Sequence, residues 1–161
     1  MNPEMSQNCL PREMLARPAV LLGRLGTAMK TESMERFEAA GFSVYHYGVL
    51  ALLDEGERQT QATIADALGV DRSMLVGLLD QLEERGMIER RRDPNDRRRQ
   101  MVKLTPAGRR QLDEFRKLVA KIEDDFLAPL DEEERATLHD LLLRVAAHRD
   151  TRFVPAQTSV S

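Results

Sequence analysis

The chain has 161 residues, a length typical of one domain with a helical extension, and its single cysteine excludes an intrachain disulfide and a thiolate metal cluster. A low aromatic content of 4%, without tryptophan, disfavours a stacking platform for single-stranded nucleic acid. The N-terminus lacks the basic and apolar regions of a signal peptide and no apolar run can span a bilayer, so we expect a soluble, cytoplasmic protein that is not bound to a membrane.

The N-terminal part of the chain predicts an arm followed by a helix. Residues 1–13 are polar, carry two prolines and show no periodicity, which is typical of a flexible arm. From about residue 14 to residue 39 apolar side chains recur at helical spacing, with Pro18 near the start and Gly41 at the end. We assign residues 14–42 to an N-terminal dimerisation helix.

Three shorter helices are predicted next. The first runs from Val44 to about Leu53, the second is capped by Thr60, and the third is capped by Asp71 and ends at Gly86. The second and third are joined at Gly69, which gives the helix-turn-helix pattern. The third helix has one apolar face, formed by Leu75, Leu78, Leu79 and Leu82.

A charged hairpin follows these helices. The segments 87–90 and 100–104 alternate like strands, and the turn between them lies at 93–96. Between Arg90 and Arg99 there are six arginines and two aspartates, a local charge of +4 in a chain whose net charge is −3. Such a concentration of positive charge indicates a binding element for a polyanion, most plausibly DNA.

Two further helices complete the chain. Thr105 and Pro106 predict the start of a helix that runs to about Leu127, and Asp131 with Glu134 predicts a capping box for a helix from Glu132 to about His148. We assign residues 43–105 to a winged helix-turn-helix lobe, 106–150 to C-terminal dimerisation helices and 151–161 to a flexible tail. The predicted fold class is mainly α with a small β wing.

The candidate DNA-binding residues lie on two elements. The face of the third helix opposite its leucines carries Arg72, Ser73, Met74, Val76, Gly77 and Gln81, and can enter the major groove. On the hairpin, Arg97, Arg98 and Arg99 can reach phosphates or a narrow minor groove, while Asp96 can pair with Arg98 and brace the turn. The alternatives are ordinary core helices of a bundle and a solvated charged surface. Solvated surfaces usually alternate in sign, and this hairpin does not.

These motifs carry a family resemblance. Two parts of the sequence are similar to the signature of the MarR (multiple antibiotic resistance regulator) family. The longer part contains Leu82, Arg85-Gly86-Met87-Ile88, Arg90, Asp96-Arg97-Arg98, Leu104-Thr105 and Gly108. The shorter part contains Ser43, Tyr47 and Val49-Leu50. The resemblance covers about residues 14–150. It implies a homodimeric winged-helix transcriptional regulator, often a repressor, that is released from a pseudo-palindromic operator by a small ligand or by thiol oxidation.

The third helix, which corresponds to the recognition helix of the family, departs from the family pattern. Family members often carry Thr and Arg at the positions of Val76 and Gly77, and a basic residue at that of Gln81. Base reading is therefore expected to depend on Arg72, Ser73, van der Waals contact and DNA shape. A second hypothesis, from another class, is a protein-interaction module with weak DNA reading.

The resemblance also implies an effector site. The family's ligand pocket would here involve Arg24, Tyr45 and His46. The side chains of Tyr45, His46 and Tyr47 have polar tips on apolar bodies, which suit aromatic or phenolic ligands. The alternative is that Tyr47 is core and His46 a surface or capping residue. Cys9 suggests a redox sensor, but it lies in the polar arm with no basic residue nearer than Arg12, so an incidental exposed thiol is the simpler interpretation.

The sequence offers no catalytic residues, no metal site and no cofactor site. His139 and His148 are nine residues apart and lack the spacing of a metal-binding pair. We therefore expect a protein that is not an enzyme, whose partners are double-stranded DNA, a second copy of itself and a small-molecule effector.

Overall fold

A computed structural model describes residues 9–56, 59–93 and 100–153. The chain divides into two compact units, Met1–Ser43 and Val44–Ser161. Among the described residues no helix has the length and apolar character needed to cross a lipid bilayer.

The N-terminal unit contains two helices where the periodicity predicted one. Helix α1 spans Arg12–Leu15, and α2 spans Pro18–Ala39. The helix breaks at Arg17, which is extended (φ −103°, ψ 108°), because a following proline disfavours the α conformation of the residue before it. The predicted single helix from residue 14 is therefore wrong at its start, and residues 12 and 13 of the predicted arm are helical. Gly41 ends α2 in the left-handed conformation, with φ of 78°.

The second unit begins with a lobe of three helices and a small sheet. Its helices are α3 (Val44–Glu55), α4 (Gln61–Leu68) and α5 (Arg72–Glu84). Its strands are β1 (Gln59–Thr60), β2 (Ile88–Arg92) and β3 (Gln100–Leu104), arranged antiparallel in the order β1-β3-β2. The sequence did not predict β1, because a strand of two residues has no detectable periodicity.

The core of this lobe is built from the leucine face of α5 and its neighbours. The four leucines predicted for that face are buried, as are Ile88 of β2 and Val102 of β3. On α3, the buried residues are His46, Val49, Leu50 and Leu53. The interpretation of His46 as a surface or capping residue is wrong, since His46 is 3% exposed. Tyr47 is half-buried and packs edge-on against Phe115, with ring centroids 6.4 Å apart.

Two long helices follow. Helix α6 spans Pro106–Phe126 and α7 spans Glu132–Arg149, and both begin at the predicted caps. The Asp131 side chain accepts from Glu134 N, and the Glu134 side chain accepts from Asp131 N, which confirms the capping box. A 3-10 turn at Thr151–Phe153 shows that the beginning of the expected frayed tail is ordered.

Candidate nucleic-acid interface

The turn between α4 and α5 is a tight left-handed turn at a glycine. Gly69 has φ of 64°, a conformation that costs other residues free energy. At the end of α4 the N–H of Gly69 donates to Asp66 O and the N–H of Val70 donates to Ala65 O. Asp71 then starts α5 by accepting a hydrogen bond from Met74 N at 2.8 Å. The helix-turn-helix predicted from Gly69 is confirmed.

Helix α5 has a buried face and an open face. Its leucines pack into the core, and the six residues of the predicted reading face are all exposed: Arg72, Ser73, Met74, Val76, Gly77 and Gln81. A Cβ atom added at Gly77 would meet no atom within 4 Å. The first half of this helix carries no acidic residue, whereas the second half carries Asp80, Glu83 and Glu84. The part of α5 suited to approach a polyanion is therefore its N-terminal half.

The residues that follow α5 contact the start of α6 closely, and the carbonyl group of Met87 lies at the centre of this contact. Gly86, with φ of 67°, turns the chain into β2, and the Met87 carbonyl accepts from Thr105 N at 3.1 Å. The Thr105 hydroxyl donates to Gly86 O at 2.7 Å and accepts from Gly108 N at 3.1 Å. At Gly108 an added Cβ would lie 2.1 Å from Met87 O. The Leu104-Thr105 and Gly108 motif is thus explained by a joint that fixes the base of the hairpin.

The arginines of the hairpin divide into two groups. On β2, Arg90 is turned toward α5 and its side chain is 20% exposed, whereas the side chain of Arg91 is 68% exposed. The predicted contacts of Arg97, Arg98 and Arg99, and the bracing role of Asp96, lie outside the described residues and stay predictions.

Sequence reasoning missed the partners of Arg90. The Arg90 guanidinium binds Asp80 and Glu83 of α5, with an Nη2–Oδ1 distance of 2.6 Å to Asp80 and an Nε–Oε2 distance of 2.8 Å to Glu83. The hydrogen bonds from Arg90 hold the pKa of Glu83 below its ordinary value, and those to Glu83 raise the pKa of Arg90. Two acids three residues apart on one helix face were the available signal.

A second ion-pair cluster joins α3 to α6. Asp54, near the end of α3, accepts from Arg109 Nη1 at 3.0 Å and from Arg116 Nη2 at 2.8 Å. The two arginines lie seven residues apart and so share one side of α6. Asp54 offsets part of their positive charge, although the side chains of Arg109 and Arg116 remain 64% and 50% exposed.

The predicted effector residues occupy different surroundings. Arg24 is exposed on α2, Tyr45 is half-buried on α3, and His46 is buried. Cys9 is exposed. Within the described ranges no group of three or more His, Cys, Asp or Glu side chains is arranged to hold a metal ion. The roles of these residues in ligand or redox sensing stay predictions.

Comparison with known proteins agrees with this architecture. The model of the MarR family matches residues 42–99, which contain the helix-turn-helix and most of the hairpin. A relative from Thauera aromatica, described as a regulatory protein for the hcr operon, is 39% identical over 110 residues, which are 68% of this chain and 65% of the relative.

Solved structures are similar over more of the chain. A MarR-family transcriptional regulator from Rhodococcus sp. RHA1 superposes with a TM-score of 0.69 and 30% identity, covering 80% of this chain and 91% of the other. CouR from Rhodococcus jostii RHA1, solved bound to p-coumaroyl-CoA, has a TM-score of 0.67 and 27% identity, and covers 91% of this chain and 98% of CouR. The likeness therefore extends beyond the lobe to the long helices.

Proposed function

The chain belongs to the MarR family of transcriptional regulators, and we propose that it is a dimeric repressor that leaves its operator when a small ligand binds. The observation that carries the proposal is the open face of α5, which is the second helix of the helix-turn-helix and precedes an arginine-rich hairpin. A DNA-binding regulator of this kind would act in the cytoplasm.

In the proposed complex, the N-terminal half of α5 enters the major groove. The first turn of a helix presents free N–H groups and the positive end of the helix dipole, both of which favour phosphate oxygens. Arg72 adds a full positive charge at this end, and Ser73 adds a hydroxyl that can donate or accept at a base edge. The acids of the C-terminal half favour an orientation in which that half lies farther from the phosphates.

Apolar contact supplies part of the proposed base reading. Met74 and Val76 are 38% and 41% exposed, so both side chains are open to apolar contact from a partner. The methyl group of thymine is the apolar feature of the major groove and would pack against them. Gly77, beside Val76, would let the helix backbone approach the base edges closely.

Dimerisation is supported by apolar side chains that remain exposed on long helices. On α2 these are Leu21, Leu22 and Leu25, and on α7 they are Leu141, Leu142 and Val145. Helix α7 has no buried residue although it is 18 residues long. A second copy of the chain would cover such surfaces, and twofold symmetry would then present two reading helices to half-sites about 10 bp apart.

The proposed effector is an aromatic or phenolic acid, or a derivative of one. CouR, which is similar over 91% of this chain, binds p-coumaroyl-CoA, a compound that carries a phenol ring. We propose that Tyr45 and His46 of α3 contribute to the corresponding site. The dimer can adopt one spacing of its lobes that fits the operator and another that does not. A ligand that binds more tightly to the second form lowers the affinity for DNA, by at most the ratio of its affinities for the two forms. Aromatic acids that raise the melting temperature and release DNA would support this site.

A gel shift on the DNA upstream of the protein's own gene, repeated over a salt series, tests the DNA-binding part. We expect a specific complex that weakens steeply with salt, because bound phosphates release counterions. A protein that binds this DNA no better than a scrambled duplex would instead fit the protein-interaction hypothesis, and would contradict the proposal.

A further inference from the structure

One arginine of the charged hairpin faces the recognition helix and not the solvent. Side chains alternate along a strand, so Arg90 shares its face of β2 with Ile88, which is buried. Its partner across the ladder is Val102 of β3, which is also buried, so the long side chain of Arg90 extends from the core toward α5. Arg91 points to the opposite face, where it pairs with Glu89 at 2.9 Å.

Arg90 is held to α5 by both its backbone and its side chain. Its N–H donates to Glu83 Oε1 at 3.0 Å, and its Nε donates to Glu83 Oε2 at 2.8 Å. Its Nη2 donates to Asp80 Oδ1 at 2.6 Å and also contacts Glu83 Oε2. Several charge-assisted bonds to two acids of one helix fix the direction of the strand as well as its distance from that helix.

The location of these bonds gives them a role at the edge of the sheet. Strand β2 is an outer strand, since the order of the strands is β1-β3-β2. The carboxylate of Glu83 accepts the hydrogen bond of the Arg90 N–H, so that α5 satisfies one backbone donor of this outer strand. Beyond Arg92 the chain enters the segment that carries Arg97, Arg98 and Arg99.

The charges of the three residues make the arrangement unusual for a DNA-binding surface. Acids on a recognition helix repel phosphates, so replacing one by a neutral residue is ordinarily expected to strengthen DNA binding. Asp80 and Glu83 nevertheless occupy α5, and one cation serves both of them. Their presence is explained if they hold strand β2 in place, and if the position of that strand raises DNA affinity by more than the two negative charges lower it.

We propose that Arg90 is a positioning residue, which ties the base of the hairpin to α5 through Asp80 and Glu83 so that hairpin and recognition helix meet DNA as one unit. The proposal rests on the proposed DNA-binding function. Arg90 itself neutralises no phosphate in this arrangement, because its positive charge is balanced by the two acids, which bind its Nε and Nη2. Its effect on affinity is exerted through the arginines that follow β2.

The sharpest test is Glu83→Gln, because the proposal predicts the opposite sign from simple electrostatics. Binding to a duplex from the upstream region is expected to weaken about tenfold although a negative charge has been removed. The matched control is Glu84→Gln, which removes the same charge one residue away, outside the Arg90 cluster, and is expected to leave affinity equal or slightly higher. Equal or tighter binding by Glu83→Gln would overturn the proposal.

The salt dependence of Arg90→Met separates positioning from direct contact. Loss of one phosphate contact lowers the slope of log K against log salt by about 0.9. We expect a fall of about two or more, since several arginines of the hairpin would lose their phosphates together. A fall of about one would identify Arg90 as a direct contact and overturn the proposal, as would an unchanged slope. Arg91→Met, on the opposite face of the strand, is the control and is expected to lower the slope by one at most.

Amide hydrogen exchange provides a readout that needs no DNA. In Glu83→Gln the Arg90 amide is expected to exchange at least about tenfold faster than in the wild type, whereas in Glu84→Gln it is not. Unchanged exchange in Glu83→Gln would overturn the proposed tie between Arg90 and α5, which we call the clamp, even if the wild type binds no DNA. Failure of the wild type to bind DNA, with faster exchange in Glu83→Gln, would reject the proposed function and leave the clamp supported.

Discussion

The joint at Gly108 allows a quantitative prediction for Gly108→Ala. The new Cβ would lie 2.1 Å from Met87 O and 2.7 Å from Leu104 Cδ1. A carbon–oxygen contact normally requires about 3.3 Å, so Met87 O and the first turn of α6 must separate by roughly 1 Å. That movement stretches the hydrogen bond from Thr105 N to Met87 O, now 3.1 Å, beyond the limit of a hydrogen bond.

The expected cost follows from these displacements. Overpacking costs about 1–3 kcal/mol, and each lost hydrogen bond costs about 1 kcal/mol. The higher helix propensity of alanine returns up to about 1 kcal/mol. We therefore expect Gly108→Ala to lower the free energy of unfolding by about 2 kcal/mol, a large fraction of the stability of a small domain.

Urea unfolding followed by circular dichroism measures this difference. Protein concentration must be equal for all variants, because the stability of a dimer depends on it. Gly77→Ala is the matched control: its Cβ meets no atom within 4 Å, and we expect a gain of up to about 1 kcal/mol. If Gly108→Ala were within about 0.5 kcal/mol of the wild type, the proposed steric joint would be refuted.

Three further predictions concern DNA and pH. Gly77→Ala should weaken DNA binding about tenfold in anisotropy titrations despite its greater stability, and unchanged affinity would exclude close approach of α5 at this residue. Arg98→Ala should weaken binding and lower the salt slope by about one unit, and an unaltered slope would exclude a phosphate contact. Because Arg90 lowers the pKa of Glu83, the ion pair stabilises the fold at neutral pH and this contribution is lost as the pH falls below the ordinary value of 4.5. The melting temperature of the wild type should therefore exceed that of Glu83→Gln at pH 7 and approach it near pH 3, and a constant difference would contradict the assignment.

Local signals in the sequence were sufficient for the helix starts and turns. Thr60, Asp71, Thr105 and Asp131 each cap the helix predicted for them, because a cap depends on residues only a few positions away. The left-handed turn at Gly69 is equally local. The break before α2 follows another local rule, the effect of Pro18 on Arg17, which overrides the helical periodicity of residues 14–39.

Features that depend on distant parts of the chain were missed. Strand β1 exists only because Gln59 and Thr60 pair with Val102 and Met101, about 40 residues later. The burial of His46 arises because α3 packs against α4, α5, α6 and β3, which covers more than one helical face. A pattern of residues along one element does not reveal how many neighbours surround it.

The exposed face of α5 was predicted correctly, but the different surroundings of the hairpin arginines were not predicted. The exposed face of α5 was identified from the spacing of its leucines, which is a local property. Counting the hairpin arginines as one group concealed the difference between Arg90 and Arg91, although strand alternation relative to Ile88 would have separated them. The acids that hold Arg90 were overlooked because they belong to the preceding helix.

Selection of bound duplexes from a random pool tests the central claim most directly. A dimeric winged-helix regulator should enrich an inverted repeat whose half-sites are centred about one helical turn, or 10 bp, apart. Thymine should recur where Met74 and Val76 meet the major groove. Recovery of no common sequence, or of a single half-site without its inverted copy, would contradict the account.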